Sequence, residues 1–217
     1  MAVEPVRADR GGRLSVVGRD RDARRAVAQP RAGADDRLTP APSIAGVVLA
    51  GGASSRFGRD KAEEMYRGCK LIDWSIAALT PCCAAIYVAG RAHDACASVP
   101  DRPRAGLGPL GGLAGALTAA RERGFTRLLS LPCDTPHLPE GLLERLCRSD
   151  GAAFVRACPV IGIWPSADAD RLADWLEKDG PRAMRAWADA IGAQAVETDS
   201  PIININRTTD FARLAQN

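Results

Sequence analysis

The segment from Leu49 to Lys61 has the residue types needed to hold a phosphate group. It reads Leu-Ala-Gly-Gly-Ala-Ser-Ser-Arg-Phe-Gly-Arg-Asp-Lys and directly follows an apolar run. Glycines after a strand let backbone N–H groups approach a phosphate closely, because no Cβ intervenes. Arg56 and Lys61 then supply positive charge that neutralises the phosphate. The spacing is neither that of a Walker loop nor that of a dinucleotide fingerprint, and a solvated turn with two incidental basic residues is the alternative.

A single carboxylate follows a later apolar run, in the segment Leu-Pro-Cys-Asp-Thr-Pro from Leu131 to Pro136. A carboxylate at the carboxyl end of a central strand is where an α/β enzyme places a magnesium ligand. Capping of a helix by Asp134 or Thr135 is the alternative. Taken together with Lys61, the pattern predicts a Mg²⁺ site at Asp134.

A second glycine-rich loop, from Gly106 to Gly112, matches the pattern GxGxxG. The residues before it, 99–105, do not read as a buried strand, and Pro109 disrupts the tight turn that a dinucleotide site requires. A Pro-Leu-Gly-Gly sequence at the start of a helix predicts instead that the helix N-terminus faces an anionic group. A plain packing turn is the alternative.

Apolar runs of strand length alternate with helical spacing from Ile44 onward. The predicted strands are Ile44–Leu49, Ala84–Ala89, Thr126–Leu131, Ala152–Ala157, Val160–Trp164 and Ile202–Ile205. The predicted helices are Leu71–Leu79, Pro109–Arg123, Leu138–Cys147, Ala167–Glu177 and Arg182–Ile191, followed by a C-terminal helix. This alternation predicts a doubly wound α/β domain with a mostly parallel sheet, helices on both faces and ligands at the carboxyl ends of the strands.

The composition favours a globular protein. Of the 217 residues, 46% are hydrophobic and 25% are charged, which excludes a mainly disordered or fibrous chain. The longest nearly uninterrupted apolar run, residues 44–53, is too short to span a bilayer, and no secretory leader is recognisable, so a cytoplasmic protein with no membrane partner is expected. The seven cysteines include no CxxC pair, which argues against a disulfide framework or a zinc site.

The formal net charge of +3 belongs entirely to the first part of the chain. Residues 1–43 hold nine arginines and six acidic residues, whereas residues 44–217 hold twenty charges of each sign. We therefore expect a disordered basic N-terminal extension over 1–43, with a basic tethering arm as the alternative, and one domain over 44–217. The neutral body gives no reason to expect a nucleic-acid partner.

Together these motifs resemble those of the molybdenum cofactor guanylyltransferases, within the broader group of Rossmann-like nucleotidyltransferases of the nucleotide-diphospho-sugar transferase type. The resemblance spans residue 44 to about residue 214. Besides Leu49–Lys61, it rests on GPLGGL at Gly108–Leu113, PCDTPHLP at Pro132–Pro139, PVIGIWP at Pro159–Pro165 and the terminal Asn204-Ile-Asn206. The first motif alone would also fit several sugar or cytidylyl transferases, whereas the series in this order is specific.

The resemblance implies transfer of GMP from GTP to molybdopterin, usually carrying molybdenum, with release of diphosphate and with Mg²⁺ as cofactor. The implied partners are these two substrates, a protein that delivers molybdopterin and the acceptor molybdoenzymes. The residues that match the family's catalytic and metal positions are Lys61, Asp134 and Arg56, with the metal on Asp134. Those that match its GTP positions are Leu49, Ala50, Gly51, Gly52, Lys61, Asp101 and Asp134; those that match its molybdopterin positions are Arg56, Gly108, Arg182, Asn204 and Asn206.

The implied chemistry needs no side-chain nucleophile. Two anions must be brought together, so charge neutralisation and in-line geometry are the main requirements. Accordingly, Cys133 is expected to be a packing thiol, and His137 is expected to pack or to cap a helix rather than to catalyse.

The sequence departs from the family pattern at some positions. Ala89 stands where an Asn is common, and Cys158 stands where a His is common before the Pro-Val strand. Two alternatives therefore stay open: a cytidylyl or sugar-phosphate nucleotidyltransferase of the same fold, or a catalytically impaired homologue that acts as a cofactor-binding carrier or chaperone.

Overall fold

The structure is a computed structural model that describes residues 44–51, 61–205 and 210. The strands are β1 (Ile44–Leu49), β2 (Met65–Tyr66), β3 (Cys69–Lys70), β4 (Ala85–Ala89), β5 (Ala97–Val99), β6 (Arg127–Pro132), β7 (Ala153–Val155), β8 (Cys158–Pro165) and β9 (Gln194–Val196). The helices are α1 (Leu71–Leu79), α2 (Pro109–Glu122), α3 (Leu142–Cys147), α4 (Ala169–Glu177) and α5 (Met184–Ala190). Short 3₁₀ turns cover Lys61–Glu63 and Ser166–Asp168.

A seven-stranded sheet with the order β5-β4-β1-β6-β8-β7-β9 forms the centre of the domain. Strand β8 pairs antiparallel with β6 and β7, and the other pairings of this sheet are parallel. Strand β1 lies between β4 and β6, and all six of its residues are buried. That position explains why its sequence is a continuous apolar run rather than an alternating one.

Helices cover both faces of the sheet. On one face α2, α4 and α5 bury a cluster that includes Leu113, Leu172 and Trp187. On the other face α1 and α3 bury a second cluster that includes Ile72 and Leu146. The prediction of a doubly wound α/β domain with a mostly parallel sheet is therefore confirmed.

The predicted strand over Ile202–Ile205 is wrong. These residues form no strand; Ile205 packs instead against Tyr66 and Leu71, and its backbone N–H donates a 2.8 Å hydrogen bond to the carbonyl of Asp134. The apolar residues that indicated a strand are used for this packing and not for a place in the sheet. The sequence also gave no sign of β5, β9 or the β2–β3 hairpin, which are two or three residues long.

The helix predicted over Leu138–Cys147 begins only at Leu142. Prolines at 136 and 139 precede it, and proline restricts the residue before it away from helical geometry. The predicted extension over 1–43 and the predicted C-terminal helix lie outside the described residues, except for residue 210. All seven cysteines are free thiols. In the part of the chain that the structure describes, no helix has the length and apolar character needed to cross a membrane.

Candidate functional site

The loops singled out in the sequence meet at one edge of the sheet. The parallel strands β1, β4, β5 and β6 reach this edge side by side, because Leu49 is paired in register with both Ala89 and Pro132, and Ala89 is paired with Val99. Since β8 is antiparallel, its first residue, Cys158, lies at the same edge. The described residues that follow these strands therefore lie around a common space, as expected for an α/β sheet.

Lys61 and Asp134 are brought together at this edge. The Lys61 Nζ lies 3.6 Å from the Asp134 Oδ2, and the two side chains are 21% and 19% exposed. Burial raises the pKa of the Asp134 carboxyl above its ordinary value, and the positive charge of Lys61 partly offsets that rise. The two residues predicted to carry the chemistry thus form a mostly buried ion pair.

A cavity of about 690 Å³ lies at the ends of β1, β4 and β5, and neither Lys61 nor Asp134 is among its lining residues. Its size is within the range of small-molecule and cofactor sites. Four of the predicted site residues line it: Leu49, Gly51, Asp101 and Gly108. Ala50 does not line the cavity, but its backbone N–H donates a 2.9 Å hydrogen bond to the carbonyl of Ala89, which ties the start of the glycine-rich loop to β4.

Asp101 is held against the first turns of α2 by close backbone packing. A Cβ on Gly115 would lie 1.9 Å from the carbonyl oxygen of Pro100, so only glycine permits this approach. The backbone N–H of Arg102 donates a 3.0 Å hydrogen bond to the carbonyl of Gly111, and the Asp101 Oδ2 accepts a 3.1 Å hydrogen bond from the backbone N–H of Gly106. These contacts orient the Asp101 carboxylate in the cavity wall, next to the N-terminus of α2.

Asn204 is joined to the Asp134 loop. The Thr135 hydroxyl donates a 2.7 Å hydrogen bond to the Asn204 Oδ1, and the Asn204 Nδ2 lies 4.0 Å from the Cys158 Sγ. Thr135 is buried, and burial also raises the pKa of the Cys158 thiol. The departure from the family pattern at Cys158 therefore lies directly beside a residue that the resemblance assigns to molybdopterin.

The neighbours of Asp134 have packing roles, as expected. Cys133 packs into the core beside α1 and α3, and burial raises the pKa of its thiol to about 12, against the lowering effects of Lys61 and Arg91. The His137 Nε2 lies 3.0 Å from the Tyr66 hydroxyl oxygen, and its ring also contacts the Trp74 ring, with centroids 5.9 Å apart. Burial lowers the pKa of His137, which favours its neutral form.

The structure does not place every predicted site residue at this edge. Arg56, Gly52 and Asn206 lie outside the described residues. Arg182 is exposed in the loop that leads from α4 to α5. Its assignment to molybdopterin, like that of Gly108, stays a prediction.

The sequence analysis missed residues that the structure places at the site. Gly90 and Arg91 line the cavity directly after β4, and Thr135 holds Asn204. A basic residue immediately after a buried strand was the available signal for Arg91. No local pattern marked the hydrogen bond between Thr135 and Asn204, because the two residues are 69 positions apart.

Asp134 is suited to hold a divalent cation. Its carboxylate is mostly buried, and burial raises its pKa; a bound cation would favour the ionised form. Mg²⁺ is usually bound by one or two carboxylates together with substrate phosphates and water. No cluster of three or more His, Cys, Asp or Glu side chains among the described residues forms an all-protein metal cage. The residues present therefore fit a cation shared with a phosphorylated substrate.

Comparison with known proteins agrees with this architecture. Residues 46–194 match the model of the MobA-like NTP transferase domain. The molybdenum cofactor guanylyltransferase of Rhodobacter capsulatus is 35% identical, over 78% of this chain and 94% of the relative. That of Acidiphilium cryptum is 34% identical, over 76% of this chain and 90% of the relative.

Solved structures share the fold at lower sequence identity. The molybdopterin-guanine dinucleotide biosynthesis protein A of Archaeoglobus fulgidus has a TM-score of 0.58 and 21% identity, over 79% of this chain and 96% of that one. The 2-C-methyl-D-erythritol 4-phosphate cytidylyltransferase of Thermus thermophilus has a TM-score of 0.60 and 18% identity, over 79% and 98%. These two likenesses concern the fold alone. The family match and the two relatives go further, and the chain belongs to the MobA-like NTP transferase family.

Proposed function

We propose that this protein transfers GMP from GTP to molybdopterin, or to its molybdenum-bearing form, and so makes a molybdopterin guanine dinucleotide and diphosphate. The observation that carries the proposal is the Lys61–Asp134 pair at the same edge of the sheet as a cavity of nucleotide size, in a chain whose relatives are named guanylyltransferases. GTP is a cytoplasmic nucleotide, so the reaction is assigned to the cytoplasm.

Asp101 is the residue that selects guanine in this proposal. The ring N1–H and the exocyclic amino group of guanine lie side by side on one edge of the base. An ionised carboxylate only accepts hydrogen bonds, and its two oxygens can accept one from each of these donors. The Gly106 N–H already holds the Asp101 Oδ2 in the cavity wall, so the carboxylate is oriented before the nucleotide enters. Adenine and cytosine lack this pair of donors, and the same carboxylate would repel their ring acceptors.

The phosphates are assigned to the opposite end of the cavity. Gly51 offers its backbone without a Cβ, and Lys61 contributes positive charge next to Asp134. Asp134 would hold Mg²⁺, which when bound neutralises phosphate charge and orients the reacting groups. The ionised form of Asp134, although disfavoured by burial, is the form needed for this role.

The reaction itself requires no side chain to act as a general base, because the attacking phosphate oxygen is already ionised. An ionised phosphate oxygen of molybdopterin attacks the α-phosphorus of GTP and forms a new P–O bond. The bond between the α-phosphorus and the bridging oxygen breaks, and diphosphate leaves with the electron pair. Lys61 stabilises the charge on the phosphoryl oxygens during this exchange, and the surrounding loops hold an in-line geometry.

The acceptor is assigned to the side of the site near Asn204. The hydrogen bond from Thr135 fixes this amide next to the Asp134 loop, where an acceptor phosphate would have to arrive. Arg56, Gly108, Arg182 and Asn206 complete the proposed molybdopterin set by resemblance. A protein that delivers molybdopterin and the molybdoenzymes that receive the product are the proposed protein partners.

The first experiment is calorimetric titration of the purified protein with GTP, CTP and ATP in the presence of Mg²⁺. We expect a clear preference for GTP, followed by formation of the guanine dinucleotide and diphosphate when molybdopterin is supplied. Preference for CTP would move the protein to a cytidylyl reaction, and binding of none of the three would favour a carrier role. Asp101→Asn is the matched variant, which should reduce the preference for GTP over CTP.

A further inference from the structure

Arg91 occupies a position at the nucleotide cavity that none of the assigned roles uses. It lies two residues after the end of β4, lines the cavity and has a side chain that is only 19% exposed. Its Nη2 lies 2.9 Å from the Oε1 of Glu63. An arginine held at a cavity wall by a carboxylate is a charged group with a defined direction, because the guanidinium is planar and rigid.

The residue before Arg91 lies against Gly51, which follows β1. Gly90 has a φ of +91°, and a Cβ there would lie 2.3 Å from the Cα of Gly51. The chain after β4 therefore runs in contact with the backbone that is assigned to the phosphates. Asp101, which is assigned to the base, lies in a different part of the cavity wall, after β5.

Glu63 links Arg91 to the other cation of the site. It belongs to the same 3₁₀ turn as Lys61, whose Nζ contacts Asp134 after β6. The turn Lys61–Glu63 therefore contacts two loops. Lys61 contacts Asp134 after β6, and Glu63 contacts Arg91 after β4. The strands β4 and β6 flank β1, so Arg91 and the Lys61–Asp134 pair lie beyond the strands on either side of it.

We propose that Arg91 binds the phosphates of the nucleoside triphosphate as a second cation, and that Glu63 is a positioning residue that orients its guanidinium. This inference rests on the proposed nucleotidyltransferase function. A guanidinium carries five N–H donors in a rigid fork, and the ion pair with Glu63 fixes the direction of that fork. The fork matches phosphate oxygens in pairs, whereas Lys61 acts as a point charge.

The test compares GTP with guanosine, which has the same base and ribose and no phosphate. Binding is measured by displacement of a fluorescent GTP analogue from the wild type, Arg91→Ala and Arg91→Lys. We expect Arg91→Ala to weaken GTP binding by about 10- to 100-fold and guanosine binding by less than about twofold. Arg91→Lys should recover part of the GTP affinity. Arg148→Ala removes an equally positive, exposed side chain after α3 and is the matched control, with GTP affinity unchanged.

Each outcome has a separate meaning. If the wild type binds neither GTP nor the analogue, the proposed function fails before the variants are considered. If the wild type binds GTP and Arg91→Ala binds it equally well, the assignment of Arg91 is overturned. An equal loss for GTP and guanosine would also overturn it, because Arg91 would then contact the nucleoside or support the fold instead of the phosphates.

The positioning role of Glu63 is tested by a double-mutant cycle. Glu63→Ala should weaken GTP binding by about threefold to tenfold in the wild type and should have no further effect in Arg91→Ala. Lys70 contacts the other carboxylate oxygen of Glu63, 2.6 Å away, and is 45% exposed. Lys70→Ala is therefore the control and should leave GTP affinity unchanged. Additive effects of Glu63→Ala and Arg91→Ala would contradict the positioning role.

Discussion

The hydroxyl of Thr135 donates a 2.7 Å hydrogen bond to the side-chain oxygen of Asn204. A second hydrogen bond, 2.8 Å long, runs from the backbone N–H of Ile205 to the carbonyl of Asp134. The loop that carries the proposed metal ligand and the segment that carries a proposed molybdopterin ligand are therefore held together at two points. The two substrates of the proposed reaction would meet where these segments meet.

Thr135→Val is expected to impair use of the acceptor more than use of GTP. The substitution keeps the shape of the side chain but leaves the Asn204 amide without its donor, a loss of about 1–2 kcal/mol at a buried position. We expect KM for molybdopterin to rise about fivefold to 30-fold, while KM for GTP changes little. Steady-state kinetics with each substrate varied in turn measures both constants.

Thr135→Ser is the control for this prediction, because it keeps the hydroxyl and should keep wild-type kinetics. A rise confined to KM for GTP in Thr135→Val would show that Asn204 does not serve the acceptor. An equal change in all constants, together with a lower Tm, would assign Thr135 to stability alone.

Gly90→Ala is expected to disturb both the fold and the nucleotide site. Gly90 has a φ of +91°, and an added Cβ would come within 2.3 Å of the Gly51 Cα, so either the loop after β4 or the glycine-rich loop must move. We expect a loss of about 2–4 kcal/mol in the free energy of unfolding, from backbone strain plus overpacking. GTP affinity should fall at least about tenfold, because a displaced Gly51 backbone would lose a phosphate contact and about 1.4 kcal/mol corresponds to a tenfold change in affinity.

Gly192→Ala separates the two causes of that loss. Gly192 also has a positive φ, +69°, but nothing lies within 4 Å of an added Cβ. Urea unfolding should therefore show only the strain of about 1–2 kcal/mol, with GTP affinity unchanged. Equal losses in the two variants would mean that the contact between Gly90 and Gly51 carries no energetic weight.

The parts of the fold with strong local patterns were predictable. The continuous apolar run of β1 and the helical spacing of α1 led to the observed bounds, Ile44–Leu49 and Leu71–Leu79. Strands β5 and β9 were not predictable, because each has three residues and includes exposed positions. Ile202–Ile205 misled for the opposite reason: its apolar residues pack on Tyr66 and Leu71, outside the sheet.

The candidate site was predictable only where sheet geometry determines it. Lys61 and Asp134 follow β1 and β6, which are neighbours, so their loops had to meet once the sheet was parallel. The contacts of Arg91 with Glu63 and of Thr135 with Asn204 depend on how loops fold back after leaving the sheet. Nothing in residue type or spacing determines those directions, because the partners are far apart in the chain or belong to separate loops.

The pKa of Asp134 is expected to depend on Lys61. Burial raises this pKa above the ordinary value of 3.8, and Lys61 opposes the rise. Lys61→Met should therefore raise the pKa of Asp134 further, which carboxyl carbon NMR during a pH titration measures. Lys178→Met removes an exposed lysine after α4 and should leave the titration unchanged. A lower pKa in Lys61→Met would contradict the interaction between the two side chains.

The carboxyl of Asp134 is also expected to cost the free protein stability at neutral pH. Its folded-state pKa is raised above 3.8, so the unfolded chain releases this proton first as the pH rises. Stability is therefore lost through the interval between the two pKa values, and the loss persists above it. Asp134→Asn should therefore raise the free energy of unfolding and the Tm at pH 7. The gain should disappear in thermal unfolding at a pH below 3.8.

The same Asp134→Asn substitution is expected to remove most turnover, because a neutral amide is a weaker ligand for Mg²⁺ than a carboxylate. MgCl₂ with GTP should raise the Tm of the wild type well above that of the free protein, and should raise the Tm of the variant much less. Asp150→Asn changes an exposed carboxylate after α3 and should alter neither stability nor turnover.

If Asp134→Asn instead lowers the Tm of the free protein, the ion pair with Lys61 outweighs the cost of burial. If it keeps its turnover at saturating Mg²⁺, the metal is held elsewhere. A more stable but inactive variant would show that this carboxylate is kept ionised in a buried position because the reaction requires it.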